Sequence, residues 1–268
     1  MIEIRRYLTK EKLIWLLDDK GIFLGPASEQ SDSREGLYDH TYPRKLVEAS
    51  PEKYTPAQLR HKKIDLSELD SLFKKMMQAS REMQYLSSWF ASDNEPSEMW
   101  ENYGSDGVAI VSTDILITSN TPQLIQSATN MRMVQYNSDD KRKEIHNPLF
   151  VKDDKYSYEN EFRIVFKPQI FSMLTGYNTK KYGVSYIGNE KSFESKEIDS
   201  EQIDDALNFI REKDCGYLFL YPLDKIITEI RINPYCTAEQ EKELRNLINS
   251  ANLTIPVSKS EVNKHSGR

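Results

Sequence analysis

The sequence predicts an α+β fold, a single domain with mixed, mostly antiparallel sheets flanked by helices. Predicted strands outnumber predicted helices and do not alternate strictly with them, as they would in an α/β protein. A chain of 268 residues with 38% hydrophobic residues can bury a sizeable core. No internal repeat or low-complexity linker divides it. We therefore expect one domain over residues 1–257 and a polar, flexible tail over residues 258–268.

The opening of the chain predicts strand, helix, strand. Residues 2–7 alternate apolar and charged side chains, and Thr9 is a suitable N-cap for the helix that follows. Gly21 ends that helix, and residues 22–24 form a short buried strand. Residues 25–56 are rich in Ser, Asp, Pro and Tyr without any period. A loop of that length is typical of a functional segment, here a mobile cover over a site.

The rest of the chain carries one long helix and several shorter elements. Leucine, phenylalanine and methionine recur at helical spacing over residues 65–82, which predicts an amphipathic helix with these side chains in the core. Further strands are predicted over 85–90, 108–111, 131–136, 162–166, 182–187, 217–221 and 226–232, and further helices over 94–104, 200–213 and 238–251.

Composition and motif content narrow the functional classes. A net charge of −6 does not indicate a nucleic-acid-binding surface, although it leaves a local basic groove as an alternative. Two isolated cysteines and a start without an apolar signal segment predict a cytoplasmic protein. No window approaches the roughly 18 apolar residues of a membrane span, so no membrane partner is expected. The four histidines lack metal-ligand spacing, so no metal site is predicted, and the common nucleotide, hydrolase and protease motifs are absent.

Three blocks of the sequence resemble one family, which is known as domain of unknown function 2971 (DUF2971). They are residues 85–113, beginning Tyr-Leu-Ser-Ser-Trp-Phe, residues 155–165, with Glu-Asn-Glu-Phe-Arg, and residues 223–234, ending Ile-Arg-Ile-Asn-Pro. With the opening Arg-Tyr segment they cover most of the chain. The resemblance implies a histidine after the central tryptophan, whereas here Phe90 follows Trp89. The family name implies no reaction, so function has to be argued from the site.

Glu159 and Glu161 are the candidate catalytic residues. They stand two apart before a strand, so both side chains point to one face. A carboxylate in a cleft can stabilise an oxocarbenium-like cation or act as a general base, and a second carboxylate nearby would raise its pKa. The alternative is a surface stripe of salt bridges with Arg163. The residues alone favour neither interpretation.

Candidate ligand-binding residues lie on the first strand. Arg5 could bind a diphosphate through its forked guanidinium, and Tyr7 could stack on a base or a nicotinamide ring. The alternative is an ordinary edge strand in which Arg5 pairs with an acid. Taken alone, these residues favour that alternative.

A second group of candidates surrounds the short helix. Trp89, Trp100 and Tyr103 could form the aromatic wall of a pocket, with polar contacts from the hydroxyls of Ser87 and Ser88 or from Glu95 or Glu98. Core packing is the default alternative. If the family blocks mark one site, Trp89, Trp100, Tyr103, Glu159 and Glu161 should surround one cleft.

The order of these features also resembles the ADP-ribosyltransferase fold. The resemblance implies that a first-strand arginine and aromatic residues grip NAD, here Arg5, and that a late glutamate, here Glu161 with Glu159 as accessory acid, steadies the cationic ribosyl group. The first hypothesis is an NAD-dependent mono-ADP-ribosyltransferase or NAD glycohydrolase with NAD as substrate. It would be a bacterial toxin or phage-defence effector, with a protein or nucleic-acid acceptor.

Two alternatives from other classes stay open. One is a non-catalytic sensor module that binds a nucleotide-like small molecule or a partner protein. The other is a metal-dependent nuclease, in which Asp93, Glu95, Glu159 and Glu161 would have to gather around Mg²⁺.

Overall fold

The structure is a computed structural model that describes residues 1–30, 66–92, 94–136, 148–188 and 198–262. It confirms the α+β class, with a mainly antiparallel open sheet flanked by helices. Most of the predicted mobile cover, residues 25–56, lies outside these ranges. The count of one domain stays a prediction, although strands from both ends of the described chain join the same sheet.

The elements are numbered here in chain order. The strands are β1 (Glu3–Leu8), β2 (Ile22–Pro26), β3 (Tyr85–Phe90), β4 (Val108–Thr113), β5 (Thr129–Met133), β6 (Gln135–Tyr136), β7 (Val151–Lys152), β8 (Glu161–Phe166), β9 (Ile210–Lys213), β10 (Gly216–Phe219), β11 (Glu229–Ile232) and β12 (Val257–Lys259). The helices are α1 (Lys10–Asp19), α2 (Leu66–Glu82), α3 (Ser97–Tyr103), α4 (Asp114–Ser119), α5 (Gln123–Ser127), α6 (Pro168–Thr175), α7 (Thr179–Tyr182), α8 (Ser200–Phe209), α9 (Leu223–Ile226) and α10 (Ala238–Ser250). Short 3-10 turns cover Ala27–Glu29, Pro148–Phe150 and Asp154–Glu159.

Local chemistry accounts for the first helix. The Thr9 hydroxyl accepts the Lys12 N–H at the start of α1, as the capping signal predicted. The helix ends one residue earlier than expected, because Lys20 itself adopts the left-handed conformation with φ 51°. Gly21 follows at a close approach, where a Cβ would lie 2.9 Å from the Phe219 carbonyl oxygen.

The main sheet has the strand order β12-β11-β4-β1-β3-β2-β10-β9. Strand β8 pairs with β3 on its other edge, and β5 pairs with β8. The small separate sheet joins β6 and β7 in parallel. The chain's first strand is therefore central, with later elements added on both sides.

The feature that positions the site is a fork at β3. Strand β8 occupies one edge of β3 along its whole length, so β1 and β2 share the opposite edge. Strand β1 meets that edge only at Arg5 opposite Phe90, and β2 meets it at Gly25 opposite Leu86. Between these contacts β1 and β2 diverge, which leaves a gap in the sheet beside Ser88.

Several predicted elements are corrected. The predicted strand 182–187 is instead the end of α7 and irregular chain, because Asn178 and Gly183 both adopt left-handed conformations at the boundaries of that short helix. The predicted helix 200–213 stops at Phe209, since residues 210–213 pair with β10 as a strand despite their helix-forming side chains. On α2, Leu72 and Met76 are exposed rather than core, whereas Met77 is buried.

The predicted flexible tail is corrected at its first residues. Residues 257–259 form β12, which pairs in parallel with β11. Ser260 is buried, and its hydroxyl donates to the Glu95 carboxylate. The polar composition of these residues predicted a flexible tail, but pairing with the edge of β11 holds them in a strand.

Candidate functional site

A cavity of about 400 Å³ occupies the fork where β1 and β2 separate from β3. This volume lies within the range of small-molecule sites. Its lining residues come from β1, α1, β2, β3, α3 and the chain before β8, and they include Arg5, Arg6, Tyr7, Lys12, Trp15, Asp19, Phe23, Ser87, Ser88, Trp89, Tyr103, Lys152, Glu159 and Glu161. Residues far apart in sequence therefore share one cleft.

The carboxylate end of the cavity is built by a turn before β8. The 3-10 turn ends at Glu159, and Asn160 adopts the left-handed conformation with φ 34°, so the chain turns abruptly into the strand. The Asn160 side-chain amide fixes this turn by donating to the Ala91 carbonyl. Glu159 and Glu161 thereby approach the same ammonium, that of Lys152, which pairs with Glu159 and lies 3.5 Å from Glu161 Oε2.

Glu161 is held by a buried arginine. Arg163 donates from Nε to Glu161 Oε1 at 2.6 Å and from Nη2 to Oε2 at 2.8 Å, and its third nitrogen donates to the Leu149 carbonyl. Burial by itself would raise the pKa of Glu161, but the Arg163 and Lys152 charges outweigh it and hold that pKa below its ordinary value. The expectation that the neighbouring carboxylate would raise it is wrong. Since Glu161 and Arg163 are both buried, the surface-stripe alternative is also wrong.

Glu159 is less fully occupied than Glu161. Its Oε1 accepts the Tyr103 hydroxyl at 2.9 Å, and its Oε2 accepts from Lys152. A carboxylate offers about four acceptor positions, so these contacts leave acceptor capacity directed at the cavity. Tyr103 is 40% exposed at the rim, and burial of its hydroxyl followed by the Glu159 charge raises its pKa.

The backbone of Ser88 faces the gap between β1 and β2. The Ala27 N–H binds the Gln84 carbonyl on the β2 side, so the even-numbered residues of β3 direct their backbone groups toward β1 and β2. Ser88 lies between the two strand contacts and faces no strand there in the described chain. Its N–H and C=O therefore point into the gap, while its hydroxyl lies beside Glu161.

The other candidates of β3 and α3 divide between cavity and core. The Ser87 hydroxyl accepts the Trp89 indole N–H at 3.1 Å on the opposite face of β3. Trp89 lines the cavity, but Trp100 does not. Trp100 is fully buried and packs edge-on against Tyr7, with 4.8 Å between ring centroids. Of the five residues expected around one cleft, Trp100 is the exception, because α3 turns its indole inward.

Arg5 lines the cavity, yet its guanidinium is engaged elsewhere. It pairs with Glu3, lies 3.6 Å from Glu95 and donates to the Ser92 and Asn94 carbonyls. Its alternative interpretation, an arginine paired with acids, is therefore the one that the geometry matches. The proposed diphosphate contact at Arg5 is corrected for this reason.

Sequence reasoning missed Arg6, the next residue. Its Nη2 donates to the Phe23 carbonyl at 3.1 Å across the gap, and within the described chain it has no carboxylate partner. A sequence signal was present: Ile4, Arg6 and Leu8 share one face of β1, and both neighbours are buried. A charged residue in the otherwise apolar register of a strand requires a partner, so its contacts had to be asked for in the sequence.

Of the acids suggested for a nuclease, Glu95 lies apart from Glu159 and Glu161. Glu95 binds Arg231 and Ser260 and does not line the cavity, and Glu159 and Glu161 already hold Lys152. Asp93 lies outside the described residues. Within those residues, no group of three or more His, Cys, Asp or Glu side chains is placed to hold a metal ion.

Two further findings concern the whole described chain. None of its helices is both long and apolar enough to cross a membrane. No known protein family, curated protein or solved structure was found to match the chain.

Proposed function

We propose that this cavity binds NAD as a substrate and cleaves the bond between nicotinamide and ribose, as an ADP-ribosyltransferase or NAD glycohydrolase. The observation that carries the proposal is the meeting of Tyr7, on the first strand, with Glu159 and Glu161, at the start of β8, in one cavity at the fork. The resemblance to the ADP-ribosyltransferase fold points the same way but rests on sequence alone.

The open edge of Ser88 suits the nicotinamide end of the substrate. A carboxamide has one donor group and one acceptor, the same pairing that an unpaired strand residue offers through its C=O and N–H. Tyr103 and Tyr7 line the same cavity and supply aromatic surface there. Binding there would bring the glycosidic bond towards the carboxylates.

The chemistry requires a negative charge beside the ribose. When the bond from ribose C1′ to the nicotinamide nitrogen breaks, its electron pair leaves with nicotinamide, and positive charge develops on the ribosyl group. A carboxylate fixed in advance stabilises that charge without reorganisation. Water or an acceptor nucleophile then forms the new bond to C1′ and loses a proton.

We assign the contact with the ribosyl cation to Glu159 and a positioning role to Glu161, the reverse of the order that the resemblance implies. Arg163 occupies both oxygens of Glu161, whereas Glu159 keeps free acceptor positions. Lys152 pairs with Glu159 and also lies 3.5 Å from Glu161 Oε2, so its ammonium has to shift toward Glu161 for Glu159 to face the ribosyl group.

A sensor module without turnover is the second candidate. One observation favours it: the side chains of Lys152, Glu159, Glu161 and Arg163 form two compensated ion pairs, which weakens the net field on a cationic centre. The cytoplasmic location, the protein or nucleic-acid acceptor and the role as a toxin or phage-defence effector stay predictions from the sequence.

The test is nicotinamide release from NAD by the purified protein, with and without protein, DNA and RNA acceptors. Glu159→Gln keeps the shape and removes the charge, so turnover should fall by about 10²–10³. The matched control is Glu101→Gln, at an exposed position on α3, which should keep wild-type turnover. Wild-type protein that binds NAD but releases no nicotinamide under any of these conditions would favour the sensor module.

A further inference from the structure

Arg6 is a cationic side chain whose contacts do not account for its charge. A guanidinium presents five N–H donors, yet across the described residues its hydrogen bonding consists of one donation to the Phe23 carbonyl. Desolvation by burial lowers the pKa of Arg6 to about 10. Arg6 is partly exposed in the cavity wall, and no carboxylate of the described chain pairs with it, so its charge is available to an anionic ligand.

In the described chain, the acids of the cavity wall are held by other groups. Asp19 is the acidic residue of the cavity wall on this side, but it is already paired with Arg211, at 3.1 Å, and with Lys213. Glu159 and Glu161 share the face of the sheet that carries Tyr7, since Glu161 lies opposite Phe90 and Phe90 lies opposite Arg5. Arg6 points to the other face by the alternation of the strand.

The helix α1 adds two groups at the same end of the cavity. Lys12 and Trp15 are three residues apart, so they lie on one face of the helix, and both line the cavity. Trp15 is 50% exposed. With Arg6 they give the same cavity wall two cations and a large exposed aromatic ring, which are groups that a phosphate attached to an aromatic base would contact.

We infer that Arg6 forms an anion subsite that binds a phosphate or diphosphate group of the ligand, with Trp15 contacting an attached base. The ligand then extends through the gap between β1 and β2, with its phosphates at Arg6 and its other end at Glu159. The phosphate subsite deepens the proposed function and rests on it only for the chemistry at the Glu159 end. It also assigns the substrate class, a nucleoside diphosphate conjugate rather than a small uncharged amide.

The test is calorimetric binding of ADP-ribose, inorganic diphosphate and adenosine to wild type, Arg6→Gln and the control Arg245→Gln. Arg245 is on α10 and pairs with Glu241, away from the cavity lining. Loss of a hydrogen-bonded charge contact should weaken ADP-ribose binding to the Arg6 variant by about 10- to 100-fold. Adenosine affinity should be the same for wild type and both variants, and Arg245→Gln should match wild type throughout.

Three results would contradict the inference. The first is that Arg6→Gln and wild type bind ADP-ribose with the same affinity. The second is that wild type binds neither phosphate-bearing probe, and the third is that Arg6→Gln fails to fold. The last counts because a partly exposed cation without a carboxylate partner in the described chain should contribute little to stability in the absence of ligand. Phosphate-dependent binding that needs Arg6, together with no nicotinamide release, would support the subsite while removing the proposed reaction.

Discussion

Arg5 and Arg6 are neighbours on β1, and the two sides of the strand give them opposite environments. Arg5 lies in a network with Glu3, Glu95 and Arg231 that links β1 to β11. Arg6 lines the cavity, and its hydrogen-bond partner among the described residues is the Phe23 carbonyl. The comparison separates an arginine that joins β1 to β11 from one whose charge, under the proposed phosphate subsite, would bind a ligand.

The largest effect should come from removing the paired arginine. Arg5→Met removes one of the positive charges beside the buried Glu95 carboxylate. Breaking a buried ion pair typically costs about 3–5 kcal/mol of stability. Arg6→Met should be neutral or stabilising in the absence of ligand. Urea unfolding of both variants measures this. Equal destabilisation by the two substitutions would remove the contrast between the arginines.

The second effect concerns Glu161, at the carboxylate end of the cavity, and the dependence of stability on pH. Because its folded-state pKa is lowered, Glu161 contributes stability that is present above the ordinary glutamate pKa of about 4.3 and is lost as pH falls through the folded value. We expect the free energy of unfolding to fall steeply with acid below about pH 4.3. Glu161→Gln should be less stable at neutral pH and show a shallower acid slope. A variant slope as steep as that of wild type would show that Glu161 does not carry this linkage.

A smaller effect is expected at the rim. Tyr103→Phe keeps the ring but removes the hydroxyl that donates to Glu159. One hydrogen bond to a charged group is worth about 1.5–3 kcal/mol at most, and rim exposure should reduce this. Nicotinamide release should therefore drop by less than in Glu159→Gln, with melting unchanged within a few degrees. A loss equal to that of Glu159→Gln would give Tyr103 a larger role than orientation.

The smallest effect on ligand binding should come from Trp100. Its indole packs behind Tyr7 and does not reach the cavity. Trp100→Phe should leave ADP-ribose affinity within about twofold, since a core substitution of this kind acts mainly on stability. Trp15→Ala, in the same titration, should weaken binding clearly. Similar losses in the two variants would place Trp100 in the site after all.

The fold class and much of the site were predictable from local signals. The Thr9 cap, the strand periodicity and the Glu-x-Glu pair at the start of β8 are all encoded within a few residues. Four of the five positions expected around one cleft do line the cavity: Trp89, Tyr103, Glu159 and Glu161. The roles of Arg5 and Arg6 were not predictable in the same way. Alternation shows that they face opposite sides, but which side opens into a cavity depends on the separation of β1 and β2 along β3.

Long-range pairing also determines the state of the carboxylates. Lys152 reaches Glu159 and Glu161 from β7, a two-residue strand whose partner is β6, and no sequence period predicts it. Arg163 was visible in the sequence, but its complete burial depends on the neighbouring strands β3 and β5. Which charged side chains meet in the site is therefore determined by the tertiary structure.

The most direct test of the account is a kinetic comparison of the two ends of the cavity, Arg6 and Glu159, in nicotinamide release from NAD. If Arg6 binds the phosphates and Glu159 faces the developing ribosyl charge, Arg6→Gln should mainly raise KM, and Glu159→Gln should mainly lower kcat. Arg245→Gln should change neither constant. Both site variants lowering kcat alike with KM unchanged, or a wild-type protein that neither binds nor cleaves NAD, would contradict the division of roles between the two ends.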